Sequence, residues 1–274
     1  MLQMFASIVN ILLSIYLGII CGGGIEGVAW ATLISEVLMA LLGGWLVYRR
    51  AGLRFYGRVS LLDKQKLKRT LSLNSDIMIR SLLLLLAFSF FTAQGSRLGE
   101  VMLAANAVLM NFFMLSAFML DGFATATEQL VGRAVGAKYR PAFDQAVRIS
   151  TFWSALLSLV LFIGLMLAGP MLIDLLTNNE AVREQARVYL VWVALTGVFG
   201  VLAFQMDGVF IGATWSGDMR NMMILSFIIY ILAWRLFMPL WGNHGLWLAL
   251  EVFLGVRGVS LLVRLKVRRA REFA

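Results

Sequence analysis

The chain has 274 residues, of which 61 % are hydrophobic and only 14 % charged, against about 25 % charged in an ordinary soluble domain. Its formal net charge is +9, but the basic residues stand between long apolar runs, which is a membrane-topology pattern and not a nucleic-acid face. One cysteine, Cys21, leaves no internal disulfide and no cysteine-based metal framework.

Apolar runs of about 18 to 22 residues predict an all-α polytopic membrane protein with about eight transmembrane helices; strands of a β-barrel would be only about ten residues long. The first span covers roughly 2–20. It has no basic flank and is too long for the core of a cleavable signal peptide, so it reads as a membrane helix. The glycines of CGGGIEG (21–27) make a tight connection; without a preceding strand they do not form a phosphate cradle. A second span runs roughly 27–48. A basic connector, 49–74, carries Arg49, Arg50, Arg54, Arg58, Lys64, Lys66, Lys68 and Arg69, and its VSLLDKQKLKRTLSL predicts an amphipathic helix lying in the interface. Span three runs roughly 76–94. Span four runs from about 103 into FMLDGFATATEQLVGRAVGA (118–137). Span five, roughly 149–168, is expected to close at Gly169 and Pro170. Span six follows TNNEAVREQAR and ends near 213. Spans seven and eight, roughly 221–239 and 245–264, are joined by a turn where His244 is expected to face water. The tail, 266–274, is basic again.

Lys and Arg crowd the junctions 49–74, 133–148 and 264–274 and thin out at 95–100, 169–184 and 240–245. This asymmetry predicts cytoplasmic termini at both ends, in agreement with an even span count. Two spans precede the connector and six follow it, and six spans form a plausible half of a transporter.

Charges at membrane depth cost about 2.5–3.5 kcal/mol on insertion scales, so they face a cavity or a partner. On a helix, Asp121, Thr125, Glu128 and Gly132 share one face, opposite Phe123, Ala126 and Leu130. Asp121 is the stronger candidate for lining a cavity; the alternatives are pairing with Arg80 or Arg133 and, for Glu128, a place among the cytoplasmic headgroups. Asn106 and Asn111 are expected to hydrogen-bond across helices, with Asn106 and Thr125 as candidate cavity-lining residues. Arg257 is expected to snorkel to the inner edge. Arg235 and Glu251 lie at equal depth on either side of WGNHG and are expected to form a buried ion pair. Asp207, in FQMDGVFIGA, stands beside the small-xxx-small spacing of Gly208 and Gly212, which lets helices approach closely. No catalytic constellation is visible, so an enzyme is not expected.

Taken together, LNSDIMIRSLLLLLAF (73–88), RLGEVMLAANAVLM (97–110), LDGFATATEQLVGRAVGA (120–137), QMDGVFIGATWSGDMRN (205–221) and GNHGLWLALEVFLGVRG (242–258) resemble the DinF-like branch of the MATE family, the multidrug and toxic compound extrusion transporters. The likeness spans essentially the whole chain. It implies a fold of twelve helices in two six-helix lobes, with 1–48 matching the last two helices of the N-terminal lobe and 75–265 the C-terminal lobe. On this expectation the first four helices are missing. The acidic position of the fifth helix is Ser14 here, four residues after Asn10, and the branch's proton-binding carboxylate on the first helix has no counterpart.

The resemblance further implies antiport across the inner membrane, with H+ or Na+ entry driving export of small organic, often cationic, compounds. It implies no cofactor and no nucleic-acid partner, only the lipid bilayer, and it gives Asp207 a coupling role beside Asp121 and Glu128. The rival readings are a transport-inactive truncated membrane protein and a flippase for lipid-linked saccharide, which would need a basic cavity.

Overall fold

The computed structural model describes residues 2–51 and 64–273. It divides into two units, Met1–Asp63 and Lys64–Ala274. Arg54, Arg58 and the first residues of the expected interfacial helix lie outside the described residues.

The first unit is a helical hairpin. Helix α1 (Leu2–Ser14) passes through a π-helical turn, Ile15–Ile20, to a short connection and then α2 (Gly24–Ala51). Gly22 and Gly24 take φ of 69° and 50°, left-handed conformations that glycine adopts without a Cβ clash, so the glycine run makes a tight turn as read. The Asn10 amide donates to Ser35 Oγ at 3.0 Å and to Thr32 Oγ1 at 3.3 Å, tying α1 to α2. Ser14 donates to Asn10 Oδ1 at 3.5 Å.

The second unit is a bundle of six helices: α3 (Lys64–Ser96), α4 (Glu100–Gly136), α5 (Arg140–Leu176), α6 (Glu180–Gly212), α7 (Ser216–Trp241) and α8 (Asn243–Glu272). Among the described residues seven helices are long and apolar enough to cross a membrane, and an eighth apolar stretch, Met4–Ile20, is shorter. In hydrocarbon each backbone group must be satisfied within its own segment, which is why long apolar runs fold as unbroken helices.

That constraint moves several boundaries. Gly169 and Pro170 do not end the fifth span; α5 continues through Pro170 to Leu176. The polar segment before span six is helical from Glu180, where Asn179 caps α6 by accepting from the Val182 N–H at 3.3 Å. The connector's described part, from Lys64, is the first turns of α3 and not a separate interfacial helix. The basic tail continues α8 to Glu272.

Helices α6 and α8 form the middle of the bundle: 56 % of the most apolar stretch of each is buried, against 33 % or less in the other four. Two apolar clusters fill the interior. One joins Phe91, Leu109, Phe113, Val193, Trp247 and Phe253 towards the α7–α8 turn. The other joins Val131, Phe143, Phe210, Trp215 and Leu261 towards the Lys- and Arg-rich end. Between them lies a belt of buried polar side chains.

Candidate functional site

The belt is anchored where α6 meets α4. A Cβ on Gly208 would run into the Ala124 carbonyl, and one on Gly212 into the Glu128 carbonyl, so both glycines are close-approach points. The small-xxx-small pattern thus brings the two backbones together. By contrast, nothing surrounds a Cβ at Gly122, next to Asp121.

One turn of this contact carries Asp207, which is 4 % exposed. Its Oδ2 accepts from Arg80 of α3 and from Arg257 of α8. Arg257 is 1 % exposed, so it does not snorkel to the inner edge. Snorkelling needs a free path along the helix surface, and Arg257 stands on the face of α8 packed against α6. Removing one member of a buried charge set costs about 3–5 kcal/mol, because the remaining charge is left uncompensated. The set keeps spare capacity: Arg80 Nε, Arg257 Nε and Nη1, and Asp207 Oδ1 have no partner among the described residues.

Asp121 is exposed on α4, but its carboxylate lies within electrostatic reach of both Arg80 and Arg257. The cluster therefore counts two guanidiniums against two carboxylates, one locked and one accessible. Thr125 is also exposed and donates its hydroxyl to the Asp121 carbonyl at 2.9 Å, on its own helix. Glu128 is half-buried beside Gly212. The face of α4 turned into the bundle is Leu120, Ala124, Thr127 and Val131, so the Asp121–Thr125 strip borders the core without entering it.

One polar link had no individual signal in the sequence, and a second was expected only from its Asn106 end. Ser154 of α5 donates to Gln205 Oε1 at 2.8 Å, and Gln205 donates to Thr127 Oγ1 of α4 at 2.6 Å, a chain across three helices. Asn106 and Asn243 exchange amide hydrogen bonds of 2.8 and 3.0 Å, and Trp247 donates to Asn106 Oδ1 at 3.0 Å. Asn106 also borders a recess of about 340 Å3 between α3 and α4 with Ser89, Thr92 and Met110. It bonds across helices as expected. Asn111 does not: it is exposed and bonds the Ala107 carbonyl of its own turn. A Ser, Thr or Gln in an apolar run is the only general signal for such links.

The Arg235–Glu251 pair is absent. Arg235 is exposed, and both Glu251 oxygens are buried without a partner. Glu251 lies on the side of α8 that faces α6, beside Trp192 and Phe199. His244 does not simply face water. Its Nδ1 accepts from the Trp192 indole at 2.9 Å, and its ring lies 4.6 Å from that of Tyr189.

Further ion pairs close the Lys- and Arg-rich end. Asp76 of α3 accepts from Ser216 at 3.0 Å and pairs with Arg220 at 2.5 Å. Asp218 of α7 accepts from Arg264 and Arg268 of α8.

Charged side chains meeting between the apolar layers of a helical bundle are a feature found in membrane transporters. The MatE family profile matches residues 77–234. The chain belongs to the MATE family, in its DinF-like branch. DNA damage-inducible protein F of Escherichia coli (strain K12) is 38 % identical over 262 residues, 95 % of this chain and 57 % of the relative. Protein DETOXIFICATION 44, chloroplastic, of Arabidopsis thaliana is 24 % identical over 270 residues, 96 % of this chain and 50 % of the relative. The chain thus spans little more than half the length of these curated relatives. In fold it is similar to the Vibrio cholerae MATE transporter VcmN in the bent form, with a TM-score of 0.87 at 22 % identity over 99 % of this chain and 62 % of that one. It is also similar to an outward-facing multidrug resistance MATE family transporter, with a TM-score of 0.82 at 20 % identity over 97 % of this chain and 61 % of that one. The family is one of transporters, not enzymes.

Proposed function

We propose that the chain supplies the C-terminal lobe, and two helices of the N-terminal lobe, of an antiporter that exports small organic compounds across the inner membrane, with both termini cytoplasmic. The observation that carries the coupling reading is the Arg80–Asp207–Arg257 set with Asp121 at its border. Asp207 is a fixed counter-ion, because two guanidiniums hold it and repel a second cation. Asp121 is the accessible carboxylate of the cluster, and Glu128 is the next acidic group along the same helix towards the Lys- and Arg-rich end. A proton on Asp121 leaves two guanidiniums facing one anion, and that imbalance biases the lobe between its two states. Thr125, which donates to the Asp121 carbonyl, is the candidate lining residue beside this path, while Asn106 borders the recess between α3 and α4 nearer the α7–α8 turn.

A saccharide flippase is less well supported, since its pyrophosphate needs uncompensated basic groups and the buried arginines here are matched by Asp207 and Asp121. The test is dye efflux in inverted membrane vesicles driven by a proton or a sodium gradient. It is run on this chain and on a chimaera joining residues 64–274 to the amino-terminal half of the E. coli relative. Proton-driven efflux by the chimaera that is lost in Asp121→Asn supports the reading. Unimpaired efflux in Asp121→Asn removes Asp121 from coupling, and efflux by neither protein favours a transport-inactive role.

A further inference from the structure

Several cations at the Lys- and Arg-rich end of the bundle are spent on carboxylates. Arg220 pairs with Asp76, and Arg264 and Arg268 pair with Asp218. Another group is not matched in this way. Arg140, at the start of α5, and Lys266 and Arg269, in the last turns of α8, line a recess of about 460 Å3 with Ala270 and Phe273. The volume falls within the roughly 300–1,000 Å3 of small-molecule sites.

The recess keeps a positive surplus. Asp144 lies 3.2 Å from Arg269 and 3.8 Å from Arg140, the second too long for a hydrogen bond. Lys266 makes no ion pair among the described residues, and Glu272 accepts from the Trp215 indole at 3.3 Å. Three cations thus share one carboxylate. The Phe273 ring packs on Phe143 of α5, with 5.3 Å between centroids, which holds the two helix ends together beside the recess.

The surplus selects an anion, and the surroundings select one with an apolar tail. Val259, Val263 and Val267 are exposed along one face of α8, and Lys266 and Ala270 continue it. Lys266 stands about 10 Å along the helix from Val259. Beyond Val259 the same face opens on a groove of about 550 Å3 between α6 and α8, walled by Trp192, Leu195 and Phe199. A free phosphate or an acidic peptide would use the cations and leave the valines bare. An anionic phospholipid uses both, its phosphate among the cations and an acyl chain along the valines towards the groove. Basic recesses between membrane helices hold lipid headgroups by this chemistry. We propose that the recess between the start of α5 and the end of α8 binds the phosphate of an anionic phospholipid, with Arg140, Lys266 and Arg269 as its counter-charges and Val263 and Val267 under its acyl chain. The site requires only that the bundle spans a membrane. It does not rest on the coupling role of Asp121, and it is tested by binding and not by transport.

The purified chain in a non-ionic detergent is titrated with phosphatidylglycerol and, separately, with phosphatidylcholine, and bound lipid is counted by native mass spectrometry. Saturable binding of phosphatidylglycerol is expected, tighter than that of phosphatidylcholine. A cation near a lipid phosphate is worth about fivefold in affinity. Lys266→Gln is therefore expected to weaken phosphatidylglycerol about fivefold, and Arg140→Gln/Lys266→Gln about twenty-five-fold, with phosphatidylcholine unchanged. Arg133→Gln removes the same charge from the exposed end of α4, outside the recess, and is expected to change binding by less than about twofold. Equal losses in Arg133→Gln and Lys266→Gln overturn the proposal and mark a diffuse basic surface. Phosphatidylglycerol binding no tighter than phosphatidylcholine also overturns it. Inorganic phosphate that displaces the lipid at equal concentration marks a free-anion site, and an oligoglutamate peptide that does so marks an acidic protein partner; either result overturns the lipid. Should the variants fail to fold, the unsubstituted chain decides. A preference for phosphatidylglycerol that stays constant between about 0.05 and about 0.5 M ammonium acetate is not electrostatic and overturns the proposal.

Discussion

Gly208 and Gly212 are adjacent to the carbonyls of Ala124 and Glu128, and that contact sets how near α6 comes to α4. Gly208→Val must push the helices apart, at a cost of about 1–3 kcal/mol, seen as a lower Tm in detergent. Gly122→Ala meets open space on the same stretch of α4 and is expected to leave Tm unchanged or raise it, since alanine is the better helix former by about 1 kcal/mol. Asp207 is sensitive for another reason. Asp207→Asn leaves two buried guanidiniums without their anion and is expected to destabilise by about 3–5 kcal/mol. Asp207→Asn/Arg257→Gln should recover part of that loss, because the double substitution removes one of the stranded charges; equal Tm values for the single and double variants would refute a shared network. Arg235 and Glu251 have no such link, so Arg235→Gln and Glu251→Gln are expected to add independently.

At the level of helices, the links between elements are few and specific. Asn106 binds α4 to α8 through Asn243 and Trp247. Interhelical hydrogen bonds in membranes average about 0.6 kcal/mol and reach about 1.7. Asn106→Leu, which breaks three and strands a buried amide, should cost about 1–3 kcal/mol. Asn111→Leu, whose amide bonds only its own turn, should cost almost nothing; equal losses in thermal unfolding would contradict the α4–α8 link. Element ends follow the same physics. A proline breaks helices in water, where the freed carbonyl finds a solvent partner. In a membrane-spanning helix α5 runs on past Pro170, and Gly169 instead marks the place where a Cβ would collide with the Leu190 side chain of α6.

For the whole molecule, the Lys/Arg asymmetry predicts that both termini and residues 49–74 face the cytoplasm. The ion pairs of Asp76 and Asp218 gather at that same end of the bundle. A carboxy-terminal alkaline phosphatase fusion is expected to be inactive and a green fluorescent protein fusion to be bright; the reverse pattern would invert the topology.

The order of the apolar helices and the family were legible in the sequence, because span length, hydropathy and breaker residues act locally along the chain; of the eight spans expected, seven are long and apolar enough to cross a membrane among the described residues. So was the close approach at Gly208 and Gly212, since small residues at that spacing leave a backbone bare. Direction around each helix was not. It decides that Arg257 turns inward to Asp207, that Asp121 borders the core, and that Glu251 turns towards α6 and not Arg235. A helix places its side chains at every angle, and only the packing of neighbouring helices selects which of those angles are buried, paired or left open.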